Sequence, residues 1–457
     1  MRTRGAERTV GIMRGAIVLW VVGMCVLGCS RGDVSRPAVR TEPSVVQAPS
    51  ALEAGASEAG PAPAASGGPV FCRVASAPET IEDGEGKAAS MGTTRLENVR
   101  VLADGDALVV TWERQSDFQI GDAWRAPVFA MRKGRGPFVV RQLPVSAHAC
   151  ATNGYAGVAS TDAPLVAWGV ADDMGFQLWK APPAVTEVAG FHEVKTPPTS
   201  RRATPRQSLR GFVASRTVAL ATTADLSCDD GCSCLVSATN GLWTFDLADR
   251  RPPARLVSSP PSGRAPEVPA LAMGAERGVA AWRVEGELYL AWLDGSGKPL
   301  GAPLRVDVGD VGAPALAIAG SRVVVVWARH DAAEAPYRLR WMLVEHGASA
   351  LPPPETLVTA GSALAPAVLT DGKDAVFAWM EGDGGARGVV LAARVVLAHR
   401  SAAPRTVVVS SSDERNARDP ELSGTVDAPV VAYSTFSSLR PGGVARVARL
   451  ACGDGPP

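Results

Sequence analysis

Four stretches of this chain repeat one spacing: Pro269 stands thirteen residues before Trp282, Pro314 before Trp327, Pro366 before Trp379, and Pro420 before Tyr433. The text between them also agrees, as PALAMGAERGVAAW, PALAIAGSRVVVVW, PAVLTDGKDAVFAW and PELSGTVDAPVVAY. Each reads as a short apolar strand opened by proline, a turn, and an apolar run closed by an aromatic. Without the proline, three earlier units join: NVRVLADGDALVVTW ending at Trp112, YAGVASTDAPLVAW ending at Trp168, and SLRGFVASRTVALA with Ala221 in the aromatic's place. The seven ends at 112, 168, 221, 282, 327, 379 and 433 set a period of about fifty residues, which marks a repeat architecture.

A run such as Val323-Val324-Val325-Val326-Trp327 is apolar on both faces of a strand and needs cover on both. After Trp282, GELYLAWLDGSGKPLGAPLRV supplies a third and fourth strand, and after Trp327 the segments YRLRWMLVEHG and PETLV do the same. Units of four short strands, none able to bury both faces alone, predict an all-β fold. The expectation is a seven-bladed β-propeller of four-stranded antiparallel blades over residues 69–457, its edges removed by ring closure. The aromatic ending each unit is expected to pack between blades rather than stack on a sugar, because it buries a large apolar area. After PVVAYSTF only the strand-like run Val444 to Leu450 remains, and PVFCRVA at 69–75 lies isolated upstream. The N-terminal strand should therefore complete the seventh blade and bring Cys72 opposite Cys452.

Arg2, Arg4, Arg8 and Arg14 form a basic leader before the apolar run Ala16 to Leu27. That run is shorter than the roughly 20 residues of a membrane span and reads as a cleaved export signal over 1–28, starting at Met1 or Met13. Its end, Val26-Leu27-Gly28-Cys29, resembles the lipobox of bacterial lipoproteins. The resemblance implies cleavage before Cys29, lipidation of that cysteine, and a membrane anchor through the N-terminal lipid. Ser30, in place of an aspartate, implies the outer membrane by analogy with enterobacterial sorting. Residues 29–68 are rich in Pro, Ala, Ser and Gly without aromatics, the composition of a disordered linker that holds a body at the envelope, on its periplasmic or outer face.

With Cys25 lost and Cys29 lipidated, Cys72, Cys150, Cys228, Cys232, Cys234 and Cys452 remain, an even set that an oxidising compartment favours as disulfides. The cluster Cys228, Cys232 and Cys234 is expected to staple a turn of the third blade, with Cys150 as candidate for its odd member; zinc would need a further pair of ligands. His148, His192, His330, His346 and His399 are scattered and read as loop or strand-edge residues, so no metal and no cofactor is expected. Asp104-Gly105-Asp106 and Glu381-Gly382-Asp383-Gly384 read as hairpin turns before calcium ligands. Arg201, Arg202, Arg206 and Arg210 form the densest cationic patch, a solvated inter-blade loop or, at a channel mouth, a binding site for carboxylate or sulfate. Lys+Arg and Asp+Glu both total 46, with no long block of one sign, which disfavours nucleic acid as a partner.

No nucleophile elbow, Walker loop or dinucleotide fingerprint is present in the sequence, and no catalytic residue is assigned. The repeats lack the Gly-His and Trp-Asp marks of WD40 and the paired glycine of kelch. They resemble sialidase-like bacterial extracellular propellers, with Ser237 to Trp243 keeping a trace of the Asp-box turn. The expected role is a monomeric binding or scaffold module for a protein or glycan partner. The alternatives are a glycan-cleaving hydrolase with two carboxylates at the ring centre, or an outer-membrane assembly factor.

Overall fold

The structure, a computed structural model, describes residues 71–81, 94–116, 125–142, 149–153, 166–172, 175–181, 192–194, 208–210, 217–222, 241–246, 255–258, 267–332, 335–357, 359–382, 388–397, 404–411, 414–436 and 443–453. All of them lie in the compact unit Ala65–Pro457. The leader, Cys29 and the linker lie outside the described residues.

Every described element is a strand, and the strands group into seven four-stranded antiparallel sheets. The chain opens with β1 (Phe71–Ile81), which belongs to the last sheet. The first sheet is β2 (Thr94–Asp104), β3 (Ala107–Ser116), β4 (Arg125–Lys133) and β5 (Val139–Gln142). The second is β6 (Ala149–Asn153), β7 (Val166–Asp172), β8 (Gly175–Ala181) and β9 (His192–Val194). The third is β10 (Ser208–Arg210), β11 (Thr217–Thr222), β12 (Gly241–Asp246) and β13 (Arg255–Ser258). The fourth is β14 (Glu267–Met273), β15 (Arg277–Val284), β16 (Glu287–Asp294) and β17 (Leu304–Val308). The fifth is β18 (Asp310–Ala319), β19 (Arg322–His330), β20 (Arg338–Glu345) and β21 (Glu355–Leu357). The sixth is β22 (Ser362–Thr370), β23 (Asp374–Gly382), β24 (Val389–Val396) and β25 (Thr406–Val408). The seventh joins β26 (Arg415–Gly424), β27 (Pro429–Phe436) and β28 (Gly443–Gly453) to β1 on its edge.

The thirteen-residue spacing is the register of the first hairpin in each sheet. Pro314 faces Trp327 across β18 and β19. In three other sheets the ladder continues one residue inward of the proline and aromatic, with Ala270 opposite Ala281, Ala367 opposite Ala378, and Glu421 opposite Ala432. Ser208 faces Ala221 in the third sheet, so the same spacing persists where both the proline and the aromatic are missing. The register also shifts beside each of the four prolines, where the first strand carries a bulge. A bulge is where a strand tolerates a residue without an N–H, which explains why proline sits there and not further along.

The valine run fills two interfaces at once. Val323, Val325 and Trp327 pack with the fourth sheet, while Val324, Val326 and Ala328 pack with the sixth. Apolar clusters of this kind join the third sheet to the fourth, fourth to fifth, fifth to sixth, sixth to seventh, and seventh to first. Trp282, Trp327, Trp379, Tyr433 and Trp112 each lie in the cluster shared with the preceding sheet, as the packing role requires. Sheets stacked face to face, with the last packed on the first, form a β-propeller fold.

The closure uses both ends of the described chain. Strand β1 pairs with β28 from Phe71 opposite Gly453 to Ile81 opposite Ala445, and Cys72 is disulfide-bonded to Cys452. Ile81 then inserts into the cluster between the seventh and first sheets.

Candidate functional site

The proline bulges all lie at the end of the sheets where the first strand of each begins, and the backbone there is locally forced. Ala365 and Asp419, directly before Pro366 and Pro420, sit at φ of 47° and 51°, and Asn416 sits at 57°. Side chains other than glycine hold such angles at a cost of about 1–3 kcal/mol each, so the surrounding packing must offset them.

Carboxylates at this end fall into two groups. The first holds the repeat aromatics. Trp327 donates its indole N–H to Asp307 of the preceding sheet at 2.7 Å, and Arg329 donates to the same carboxylate. Trp379 donates to Glu381 at 3.0 Å, and Tyr433 donates its hydroxyl to Glu414 at 2.8 Å. Glu381 also accepts the N–H of Gly361, and Glu414 is paired with Arg446 at 3.0 Å. Asp307 bridges two sheets, while Glu381 and Glu414 brace aromatics of their own sheet. Glu381, expected in a turn, is in fact buried on β23, where its carboxylate accepts from two donors, Trp379 and Gly361.

The second group faces solvent on the fifth sheet. Asp310, at the start of β18, pairs across the ladder with His330 at the end of β19. Its Oδ2 lies 3.1 Å from His330 Nδ1 and accepts the Tyr337 hydroxyl at 2.8 Å. The His330 and Tyr337 rings stack with centroids 4.7 Å apart. Asp310 keeps 56% of its side chain exposed, so the carboxylate is fixed by two neighbours and still open to a third. The hydrogen bond to Asp310 holds the Tyr337 phenol above its ordinary value, burial and the aspartate charge act in the same direction, and Arg283 opposes them. A second tyrosine of this end is arranged alike: Tyr289 donates to Glu287, which raises its phenol, while Arg305 opposes. Around the trio, Asp331 accepts from Arg329 at 2.9 Å and from Arg340 at 3.0 Å, and Arg283 donates to the carbonyl of Val311 at 2.9 Å. An oriented carboxylate beside two stacked rings can accept hydrogen bonds from hydroxyl or amide donors of a ligand.

Of the residues singled out in the sequence, Cys72 and Cys452 are brought together. Cys150 lies on β6 and Arg210 closes β10, while Cys228, Cys232, Cys234, Arg201, Arg202 and Arg206 fall outside the described residues. Asp104-Gly105-Asp106 is the turn between β2 and β3, with Gly105 at φ 54°. His346 follows β20 and places its ring nitrogen 3.0 Å from the carbonyl oxygen of Gly278, a contact between the fifth and fourth sheets. Among the described residues no group of three or more His, Cys, Asp or Glu side chains is arranged to hold a metal ion. The trio of Asp310, His330 and Tyr337 has no linear motif; its signal is the cross-strand pairing of 310 with 330, visible only once the register is known.

No family model matches the chain, and no curated protein matches it. It is similar to several solved structures. One is the β-propeller domain of Cps50 (Swd1) from Myceliophteria thermophila, at 11% identity over 83% of this chain and 99% of that one, with a TM-score of 0.44. A second is the intramolecular trans-sialidase from Ruminococcus gnavus, at 9% identity over 80% and 95% of the two chains, TM-score 0.41. A third is the Trypanosoma rangeli sialidase, at 8% identity over 78% and 55%, TM-score 0.41.

Proposed function

We propose that this chain is a seven-bladed propeller, exported and held at the outer membrane by a lipid on Cys29, that works as a monomeric binding module for a glycan or protein. The observation that carries the reading is the half-exposed Asp310 carboxylate, oriented by Tyr337 and His330 at the bulged end of the sheets. Asp307, Glu381 and Glu414 are committed to the aromatics of the ring, whereas Asp310 takes both of its contacts on Oδ2 and keeps 56% of its side chain exposed. The stacked rings add an apolar face beside a polar acceptor, a pairing suited to a ligand with both hydroxyls and C–H surface.

The test compares the wild-type body with Asp310→Ala and Tyr337→Phe on a glycan array and in capture from envelope extracts. The reading expects a ligand whose binding falls at least about tenfold in Asp310→Ala, the loss of one or two hydrogen bonds to a charged acceptor. Equal binding by wild type and Asp310→Ala would remove this site from the account. Labelling with a radioactive fatty acid, retained by wild type and lost by Cys29→Ala, tests the anchor separately.

A second reading has one observation in its favour. Asp310, exposed and oriented by the Tyr337 hydroxyl at 2.8 Å, could serve as one of the two carboxylates that glycan hydrolysis needs. Turnover of fluorogenic glycosides that vanishes in Asp310→Asn would favour a glycan-cleaving enzyme over a binding module.

A further inference from the structure

The chain enters the ring at the corner where Cys72 meets Cys452. In the seventh sheet the strand order is β1, β28, β27, β26, so β1 is an edge strand held by one ladder, while β28 lies between two. That single ladder is irregular. Its register shifts between Val74 and Ser76 and again between Ser76 and Glu79, and Ala75, Ser76 and Ala77 are exposed. Upstream of the first shift only the pairs formed by Phe71, Cys72, Arg73 and Val74 hold the strand. A pull on the chain before Phe71 would peel an antiparallel edge from its end, one pair at a time, across both shifts until it reaches Glu79, Thr80 and Ile81, which Arg132, Arg446 and the cluster between the seventh and first sheets hold.

The disulfide sits at the second of those pairs, which is where peeling would start. Its partner is anchored on two sides. The Cys452 N–H donates to Asp427 in the turn between β26 and β27 at 2.8 Å, and its carbonyl accepts from Arg394 of the sixth sheet at 3.1 Å. Arg394 is itself paired with Asp374 on β23 and with Asp427. Phe71, one residue nearer the linker, lies under the guanidinium of Arg405, 4.5 Å from its ring centroid, just before β25.

We infer that the Cys72–Cys452 bond, with Arg394 behind it, is a tension clasp: it moves load arriving through the N-terminal segment from the edge strand β1 to the interior strand β28 and the sixth sheet. The inference rests on the anchor reading for the source of the tension, though not for the mechanical property. Without the clasp, tension would open the ring at its seam and expose the cluster between the sixth and seventh sheets, which includes Val74 and Cys72 at its margin.

The test is single-molecule pulling on the full chain from Cys29 onward, with one handle at the N-terminus and one on a tag inserted at the exposed Ala275–Glu276 turn between β14 and β15. Wild type is pulled before and after reduction in the trap, beside the double variant Cys72→Ser/Cys452→Ser. Without the bond, an early step should release the chain from Phe71 up to the start of β2 at Thr94, 94 − 71 = 23 residues, on the order of 75–85 Å of extended chain. It should come at a lower force than the first event in the oxidised protein, because an edge strand held by one ladder then bears the load in place of an interior strand held by two. Reduction in the trap keeps the test valid if the double variant fails to fold. The same first step and force in oxidised and reduced chains would overturn the clasp, as would an early step of this length in the oxidised protein. Failure of fatty-acid labelling at Cys29 would remove the anchor and leave this result intact.

Discussion

Asp307→Ala is the perturbation that best probes how neighbouring sheets hold one another. Asp307 lies on β17 of the fourth sheet with its side chain 11% exposed, and accepts from Trp327 and Arg329 of the fifth. A hydrogen bond to a charged acceptor contributes about 1.5–3 kcal/mol, and a buried donor left unsatisfied costs about 1–3 kcal/mol. Trp327 is 0% exposed, so water cannot reach its N–H once the carboxylate is gone. Arg329 is 30% exposed and can turn to solvent or keep Asp331, so its share is discounted. Asp307→Ala should therefore lose about 2–4 kcal/mol in urea unfolding followed by tryptophan fluorescence. Trp327→Phe removes the donor while keeping most of the ring, and in the double variant the orphaned N–H no longer exists. The double-mutant cycle should give a coupling of about 1.5–3 kcal/mol between 307 and 327. Additive losses, with coupling near zero, would refute the idea that this bond ties the two sheets together. By contrast Arg322 and Glu345, 3.6 Å apart and both largely exposed, should show almost no coupling.

Other outcomes follow from single contacts. Gly388→Ala would place a Cβ 2.8 Å from the Ala417 carbonyl, where the seventh sheet approaches the sixth, and should destabilise by about 1–3 kcal/mol in the same unfolding assay. Spectrophotometric titration of the four tyrosines should find Tyr289 and Tyr337 ionising above the ordinary value, with Asp310→Asn bringing Tyr337 back down. A raised phenol contributes stability below the unfolded value that is lost as pH rises through the folded one, so wild type should lose more stability than Asp310→Asn at strongly alkaline pH. Burial works to raise the Asp371 carboxyl, but the N–H groups of Asp374 and Lys373 and the charge of Arg394 outweigh it and hold it low. Its contribution is thus present above the unfolded value near 3.8 and fades as pH falls through the folded one, so Asp371→Asn should flatten acid unfolding there.

The ring was legible in the sequence because its signals are local in each unit. A proline and an aromatic thirteen apart are a cross-strand pair in a hairpin of fixed length, so register writes itself into linear spacing. The valines before Trp327 announced two covered faces because alternation along a strand is unavoidable. Even the closure was readable, since one surplus strand lay at each end with a cysteine in it. The polar partners were not legible. Asp307 and Glu414 precede their aromatics by twenty and nineteen residues, whereas Glu381 follows Trp379 by two, so one structural task is met from different places and leaves no motif. Asp310, His330 and Tyr337 are spread over 28 residues of one sheet and meet only through strand register and a connection before β20. The histidine looked scattered because its partner lies across a ladder rather than along the chain.

Peptide mapping of the unreduced protein tests the closed ring at its seam, where Cys72 and Cys452, 380 residues apart, join the first and last of the described strands. A ring closed by β1 and β28 gives one linked pair of fragments carrying Cys72 and Cys452, recovered as separate peptides after reduction. Cys72 found free, or joined to Cys150 or to the cysteines at 228–234, would contradict it.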